Sequence, residues 1–151
     1  MLIDSRWRVT MADVDAAGII YYASPLRWAE VLLGDWLEEL GHPISSMLAS
    51  QVATPCVGVK VHYRSLLALD DHCRLQLSTE RIGTTSFTLR CDVRGPRSEQ
   101  VAVETVTTHA YVTYSHPNSR SGLTAKKQPL PPWLIKGLEV GLNPDQRGDQ
   151  R

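Results

Sequence analysis

One run of residues restricts the fold more than any other. From Leu26 through Ala29, Leu32, Leu33, Trp36 and Leu37 to Leu40, apolar side chains recur at helical spacing, and Leu26 and Val31 widen the stripe. Ser24-Pro25 reads as an N-cap followed by proline at the first helical position, and Gly41 and Pro43 stop the run. A helix this apolar has to be enclosed. Gly34 in its middle predicts a sheet pressed close to the helix backbone.

The rest of the chain alternates with period two. Trp7, Val9 and Met11 alternate with Arg6, Arg8 and Thr10 as a first strand, followed by a loop from Ala12 to Gly18. After an irregular stretch from Ser45 to Ala53 come three strands: Val57, Val59, Val61 and Tyr63; Leu75 and Leu77; and Phe87, Leu89, Cys91 and Val93. Each sets an apolar face towards a core and a polar face towards water. A last strand spans roughly Gln100 to His116, where the apolar parity slips by one residue and predicts a β-bulge near Thr105. Pro117 to Lys127 reads as a loop, Pro129 to Val140 as a short helix returning Trp133 and Leu134 to the body, and residues 141–151 as a frayed tail. The prediction is one α+β domain over residues 1–140, an antiparallel sheet curved around one long central helix. Its open edges predict pairing into a homo-oligomer.

Composition narrows the function. The 151 residues carry 16 basic and 16 acidic side chains, and this zero net charge argues against a nucleic-acid binder. Cys56, Cys73 and Cys91 form no CxxC, and no histidine lies at ligand spacing, so neither a disulfide framework nor a zinc site is indicated; mostly buried, reduced thiols are expected. The charged N-terminus has no apolar segment of a signal peptide, and no run approaches the ~20 apolar residues that span a bilayer. A cytoplasmic protein follows.

The segment Asp13-Val14-Asp15-Ala16-Ala17-Gly18-Ile19-Ile20-Tyr21-Tyr22 holds the chemistry. Two carboxylates stand just ahead of a buried helix, whose first amides carry partial positive charge. A carboxylate beside free backbone donors suits a reaction that develops an oxyanion. The same aspartates can equally be turn caps, and pattern alone leaves both readings open.

This block, with Leu26-Arg27-Trp28-Ala29-Glu30 after it, resembles the 4-hydroxybenzoyl-CoA thioesterase branch of the hot-dog fold, which includes the Tol-Pal-associated thioesterase. The likeness continues through Leu40-Gly41, Val57 to Tyr63 and Thr85-Ser86-Phe87, covering roughly residues 5 to 135. The resemblance implies an acyl-CoA thioesterase that takes coenzyme A as part of its substrate, needs no metal or other cofactor, and works as a homodimer or homotetramer. It implies that Asp15 is the catalytic carboxylate, as nucleophile or general base, and that the backbone N–H of Tyr22 polarises the thioester carbonyl. Gly18 would let the loop backbone approach the substrate, with Tyr21, Glu30 and the turn Thr84-Thr85-Ser86 as further substrate-binding residues.

Several residues compete for these roles. Glu30 is the rival carboxylate or a structural partner that fixes the active-site loop, and Asp13 reads as loop-shaping. Trp28, Trp36 and Tyr21 line an acyl pocket or simply fill the core. Where relatives carry basic residues before the Ser86 position, this chain has Gly83-Thr84-Thr85, so the CoA phosphates would need other cations, among Arg81, Arg90, Arg120, Lys126 and Lys127. Acyl carrier protein in place of free CoA, or a non-catalytic acyl-binding subunit, are the alternatives.

Overall fold

The apolar stripe forms α1 (Ser24–Glu39), and its buried residues fall in pairs four apart: Ser24 and Pro25, Trp28 and Ala29, Leu32 and Leu33, Trp36 and Leu37. This spacing keeps one face against the core for all 16 residues. The computed structural model describes residues 1–115 and 124–142. Ahead of α1 come β1 (Ile3–Arg8) and a short 3-10 turn, Met11–Asp13. The first strand therefore stops earlier than the alternation predicted, and Met11 projects into solvent. The N-cap is Ala23, with Ser24 already helical; the Ser24 hydroxyl donates to the Asp13 carbonyl at 2.8 Å instead of capping. At the other end Gly41 takes φ 79°, and the amides of Gly41 and His42 bond to the carbonyls of Glu38 and Leu37, both at 2.9 Å. That is a Schellman stop, which favours glycine because φ is positive.

After α1 follow α2 (Ile44–Ala49), β2 (Val52–Ala53), β3 (Cys56–Tyr63), β4 (His72–Ile82), β5 (Ser86–Arg94) and β6 (Val101–Ala110). The chain continues through β7 (Val112–Ser115), β8 (Thr124–Lys127) and α3 (Pro132–Val140). Five strands form an antiparallel sheet in the order β1-β4-β5-β6-β3, and β2, β7 and β8 form a second, three-stranded sheet. Leu75 and Leu77 of β4 and Phe87, Leu89, Cys91 and Val93 of β5 meet α1 in one core, all nearly free of solvent. Burying side chains such as Trp28, Leu32 and Leu37 stabilises the fold by about 2–3 kcal/mol each.

Further expectations need correction. The expected irregular stretch after α1 contains α2 and β2, and the neighbour of Gly34 is Ile44 of α2, 3.6 Å from where a Cβ would stand, not the sheet. The bulge of β6 lies at Ala102 and not at Thr105: Val101 and Val103 pair with the adjacent Arg94 and Val93, whereas Thr105 pairs with Cys91 and Val61 in continuous register, and the odd residues Val103, Thr105, Thr107 and His109 all face inward. The apparent slip reflects polar side chains on that inner face, and the chain changes sheets at Tyr111. The apolar side of β3 is not covered: it is an edge strand, and Val57, Val59 and Tyr63 are 61%, 54% and 48% exposed. Finally, the expected loop ends in β8, and the expected tail begins with two buried residues, where the Thr79 amide bonds to the Gly141 carbonyl at 3.1 Å. Residues 116–123 and 143–151 lie outside the described residues.

Two thiols behave as expected: Cys73 and Cys91 are buried and free, and burial first of all pushes them up to about 11 and about 12. Cys56, on the edge strand, is exposed. Among the described residues no helix is long and apolar enough to cross a membrane.

Candidate active site

Val14 and Ile20 bridge as a tight hairpin, with Asp15 at its turn. The Asp15 amide donates to the Ile19 carbonyl at 2.9 Å, and the Gly18 amide returns to the Asp15 carbonyl at 3.0 Å. Asp15 Oδ1 accepts from the Ala17 amide at 2.8 Å, which makes an Asx turn. Its other oxygen meets no donor among the described residues, and the side chain is exposed. Gly18 closes the turn at φ 75°, a conformation that suits glycine, with no atom within 4 Å of where a Cβ would stand. Both backbone and carboxylate of Asp15 are therefore held locally, with one face left open.

Asp13 fastens this hairpin to α1. Its buried carboxylate accepts from the Thr10 amide and hydroxyl at 2.8 Å each, from the Trp28 indole at 2.9 Å and from the Trp7 indole at 3.4 Å, and it pairs with Arg27. Burial works against the charge here, but the bonds from the Thr10 amide, Trp28, the Thr10 hydroxyl and Trp7 outweigh it and hold the carboxyl below the usual aspartate range. The Tyr21 amide also donates to the Asp13 carbonyl, at 2.7 Å. Asp13 thus has the loop-shaping place expected of it, and Arg27 shares that place. Glu30 does not: it is exposed and pairs with nothing among the described residues, so it does not fix the loop. Trp28 and Trp36 are core, with Trp28 tied to Asp13. The signal for this network was in the chain as Trp7, Thr10, Asp13 and Arg27-Trp28, but nothing in their spacing joins them.

At the N-terminus of α1 the Ser24 amide bonds to the Tyr21 carbonyl, and the Leu26 and Arg27 amides to the Ala23 carbonyl. The amides of Tyr22 and Ala23 meet no acceptor among the described residues. Two free donors at a helix start, where the backbone carries partial positive charge, can hold an anionic oxygen. The rings of Tyr21 and Tyr22 lie beside them with centroids 4.3 Å apart, both exposed. Ile19, Ile20, Tyr22, Tyr63, Arg64, Ser65 and Leu66 line a mostly apolar cavity of about 360 Å³ against this end of the helix.

The turn Thr84-Thr85-Ser86 is not part of this cluster within one chain. The Asp15 hairpin is stitched to the loop before β4, through the Ile19–Ala68 bridge and the Leu69 amide on the Gly18 carbonyl, while Thr84 to Ser86 follow the far end of β4. Eleven residues of strand separate the two ends by about 33 Å. The turn is held by its carbonyls: Thr85 accepts from the Tyr111 amide and Thr84 from the Leu130 amide, both at 2.9 Å. Of the cations considered for the CoA phosphates, Arg90 is engaged by Asp92 and Glu104, Arg81, Lys126 and Lys127 are exposed, and Arg120 lies outside the described residues. Among the described residues no three His, Cys, Asp or Glu side chains cluster as metal ligands do.

Comparison with known proteins bears on the family and the fold. A family model described as the thioesterase-like superfamily matches residues 9–138. A 1,4-dihydroxy-2-naphthoyl-CoA hydrolase of Thermosynechococcus vestitus is 27% identical over 139 residues, covering 91% of this chain and 92% of that protein. A gentisyl-coenzyme A thioesterase superposes with a TM-score of 0.75 at 21% identity, covering 88% of this chain and 99% of the other. A 1,4-dihydroxy-2-naphthoyl-CoA thioesterase from Synechocystis gives 0.75 at 18% identity, covering 89% and 93%. At such identities the two superpositions speak for the fold.

Proposed function

The chain belongs to the thioesterase-like superfamily, and from that premise we propose that it hydrolyses an acyl-CoA thioester to a free carboxylic acid and CoA. The observation that carries this reading is an open carboxylate, Asp15, on a hairpin that Asp13 fastens to the start of α1, where the amides of Tyr22 and Ala23 meet no acceptor among the described residues. In this reading α1 is the central helix of a hot-dog fold, and its N-terminus receives the thioester carbonyl. As the carbonyl carbon becomes tetrahedral, charge develops on its oxygen and those amides stabilise it. Asp15 either attacks the carbon, giving a mixed anhydride that water then cleaves, or takes a proton from the attacking water. In both cases the C–S bond breaks and CoA leaves as a thiolate; with a thiol pKa near ~8.5 it needs no strong acid to assist it.

The active form is a dimer paired along β3. That strand starts at the Thr84–Ser86 end of the sheet, where Cys56 pairs with His109, and finishes at the Asp15 end, where Tyr63 pairs with Val103. An antiparallel pairing of two β3 strands about a two-fold axis covers Val57, Val59 and Tyr63. It also brings the turn at Thr84, Thr85 and Ser86 of one protomer towards Asp15 and Tyr22 of its partner. The substrate-binding turn and the carboxylate then share a site they cannot share within one chain.

The relatives' substrates are, by name, a dihydroxynaphthoyl and a gentisyl thioester, and both acyl groups are aromatic. Tyr21, Tyr22 and Tyr63 offer rings to such a group at the right end of the helix. An aromatic acyl-CoA is therefore the proposed substrate class. The test is release of free thiol from benzoyl-CoA, 1,4-dihydroxy-2-naphthoyl-CoA, acetyl-CoA and palmitoyl-CoA. Turnover favouring the aromatic thioesters is expected; a folded protein that released thiol from none of them would end the proposal.

A further inference from the structure

We propose that Tyr63 is a positioning residue that holds and polarises the peptide between Tyr22 and Ala23, linking the edge strand to the amides that receive the thioester carbonyl. The inference rests on the thioesterase reading and adds a residue to it. The Tyr63 phenol donates a hydrogen bond to the carbonyl oxygen of Tyr22, across 41 residues of sequence. That oxygen is available because the helix does not use it: the amide four residues on, that of Leu26, bonds to Ala23 instead at 3.2 Å.

The Tyr22 carbonyl and the Ala23 N–H belong to one planar peptide, so fixing the oxygen fixes the direction of the N–H. A donor on the oxygen also draws electron density along the peptide and makes the N–H a stronger donor in turn. The Ala23 amide meets no acceptor among the described residues, so the whole of that gain is available to a bound oxyanion. Packing alone does not call for this hydroxyl. Val57 and Val59 lie on the same face of β3, and a phenylalanine would cover the same area. Tyr63 ends the strand whose pairing completes the proposed dimer, so the edge that meets the partner also sets the geometry of the amides.

The test is Tyr63→Phe, assayed on benzoyl-CoA as the dimeric protein. Removing an oxyanion donor outright costs about 10²–10³ in kcat, and weakening one through its peptide is expected to cost about tenfold. KM should stay within about twofold, because the bond matters most when the oxygen carries charge. Unchanged kcat, or a rise in KM with kcat intact, would overturn the proposal. Should Tyr63→Phe fail to fold, 3-fluorotyrosine at position 63 keeps size and hydroxyl but donates more strongly. It should raise kcat below the pH at which it ionises, and no rise would overturn the proposal equally. Wild-type protein inactive on every thioester would remove the thioesterase reading itself; an active wild type with an indifferent Tyr63→Phe would remove only the role of Tyr63.

Discussion

The Trp28 indole N–H donates to Asp13 Oδ1 at 2.9 Å inside the protein, tying the second turn of α1 to the loop that carries the proposed catalytic carboxylate. Asp13 is fully buried and collects every donor that converges there. It does for the loop what Asp15, exposed two residues later, does not.

Replacing Asp13 should therefore unfold the site from beneath. Asp13→Ala leaves the Trp28 indole and the Thr10 amide without acceptors, at a cost of about 3 kcal/mol in urea denaturation. The folded pKa of Asp13 is lowered, so its contribution to stability is complete above the unfolded value of ~3.9 and is lost as pH falls through the folded value. The wild type should lose stability on acidification in that range more steeply than Asp13→Asn. A variant within 1 kcal/mol of wild type would contradict this.

Among the described residues, the two glycines of positive φ separate stability from catalysis. Gly18→Ala and Gly41→Ala meet no steric obstacle, so each should cost about 1 kcal/mol through backbone conformation alone. Only Gly18→Ala should also lower kcat, because only that turn presents Asp15. Equal loss of kcat in both variants would show that the turn geometry at Gly18 has no special part in the reaction.

His109 predicts a second pH dependence, in the opposite half of the molecule. Its ring stacks on Phe87 with centroids 5.3 Å apart; Nδ1 lies 3.0 Å from the Thr54 carbonyl and Nε2 lies 3.0 Å from the Thr107 hydroxyl. Burial lowers its pKa, more than the bond to Thr54 raises it. The neutral ring fits with N–H at Nδ1 and Nε2 accepting from Thr107; a second proton would break that bond. Its contribution is complete above the unfolded value of ~6.5 and is lost as pH falls from there through the lowered folded value. Denaturation between pH 7.5 and pH 5 should show a slope that His109→Gln removes. The same slope in both proteins would be the contrary result.

How far the chain could be read follows from where its side chains find partners. β4 and β5 were legible because both strands lie inside one sheet, and their alternation records that environment directly. β3 alternates just as clearly, yet Val57, Val59 and Tyr63 on its apolar side are exposed in the single chain, and alternation does not tell a buried face from an exposed one. On β6 the inward positions Thr105, Thr107 and His109 are polar, and hydrophobic parity put near Thr105 a bulge that the strand pairing puts at Ala102. At the site, the Asp15 turn was marked by Gly18 and by the family resemblance. The Asp13 network joins four separate stretches and becomes visible only when α1 lies across β1. The distance between Thr84 and Asp15 was hidden because it depends on the strand order, which local pattern does not record.

The exposed face of β3 predicts that charge there prevents assembly. Val59→Lys should shift the protein from dimer to monomer in analytical ultracentrifugation, with little loss of monomer stability because Val59 is half exposed already. Thiol release should fall by 10-fold or more, since the Thr84–Ser86 turn of the partner leaves the site. A monomeric variant with full activity would show that one chain carries the whole site.

The most direct measurement compares Asp15→Asn with Glu30→Gln in thiol release from benzoyl-CoA, both checked for folding. Asp15 stands at the open hairpin turn, and Glu30 is exposed on α1 without a partner among the described residues. Asp15→Asn should lose at least 10³ in kcat with KM nearly unchanged, a size in keeping with removal of a nucleophile or a base. Glu30→Gln should stay within about tenfold of wild type. Near-normal turnover by Asp15→Asn, with Glu30→Gln inactive, would contradict the site assigned here.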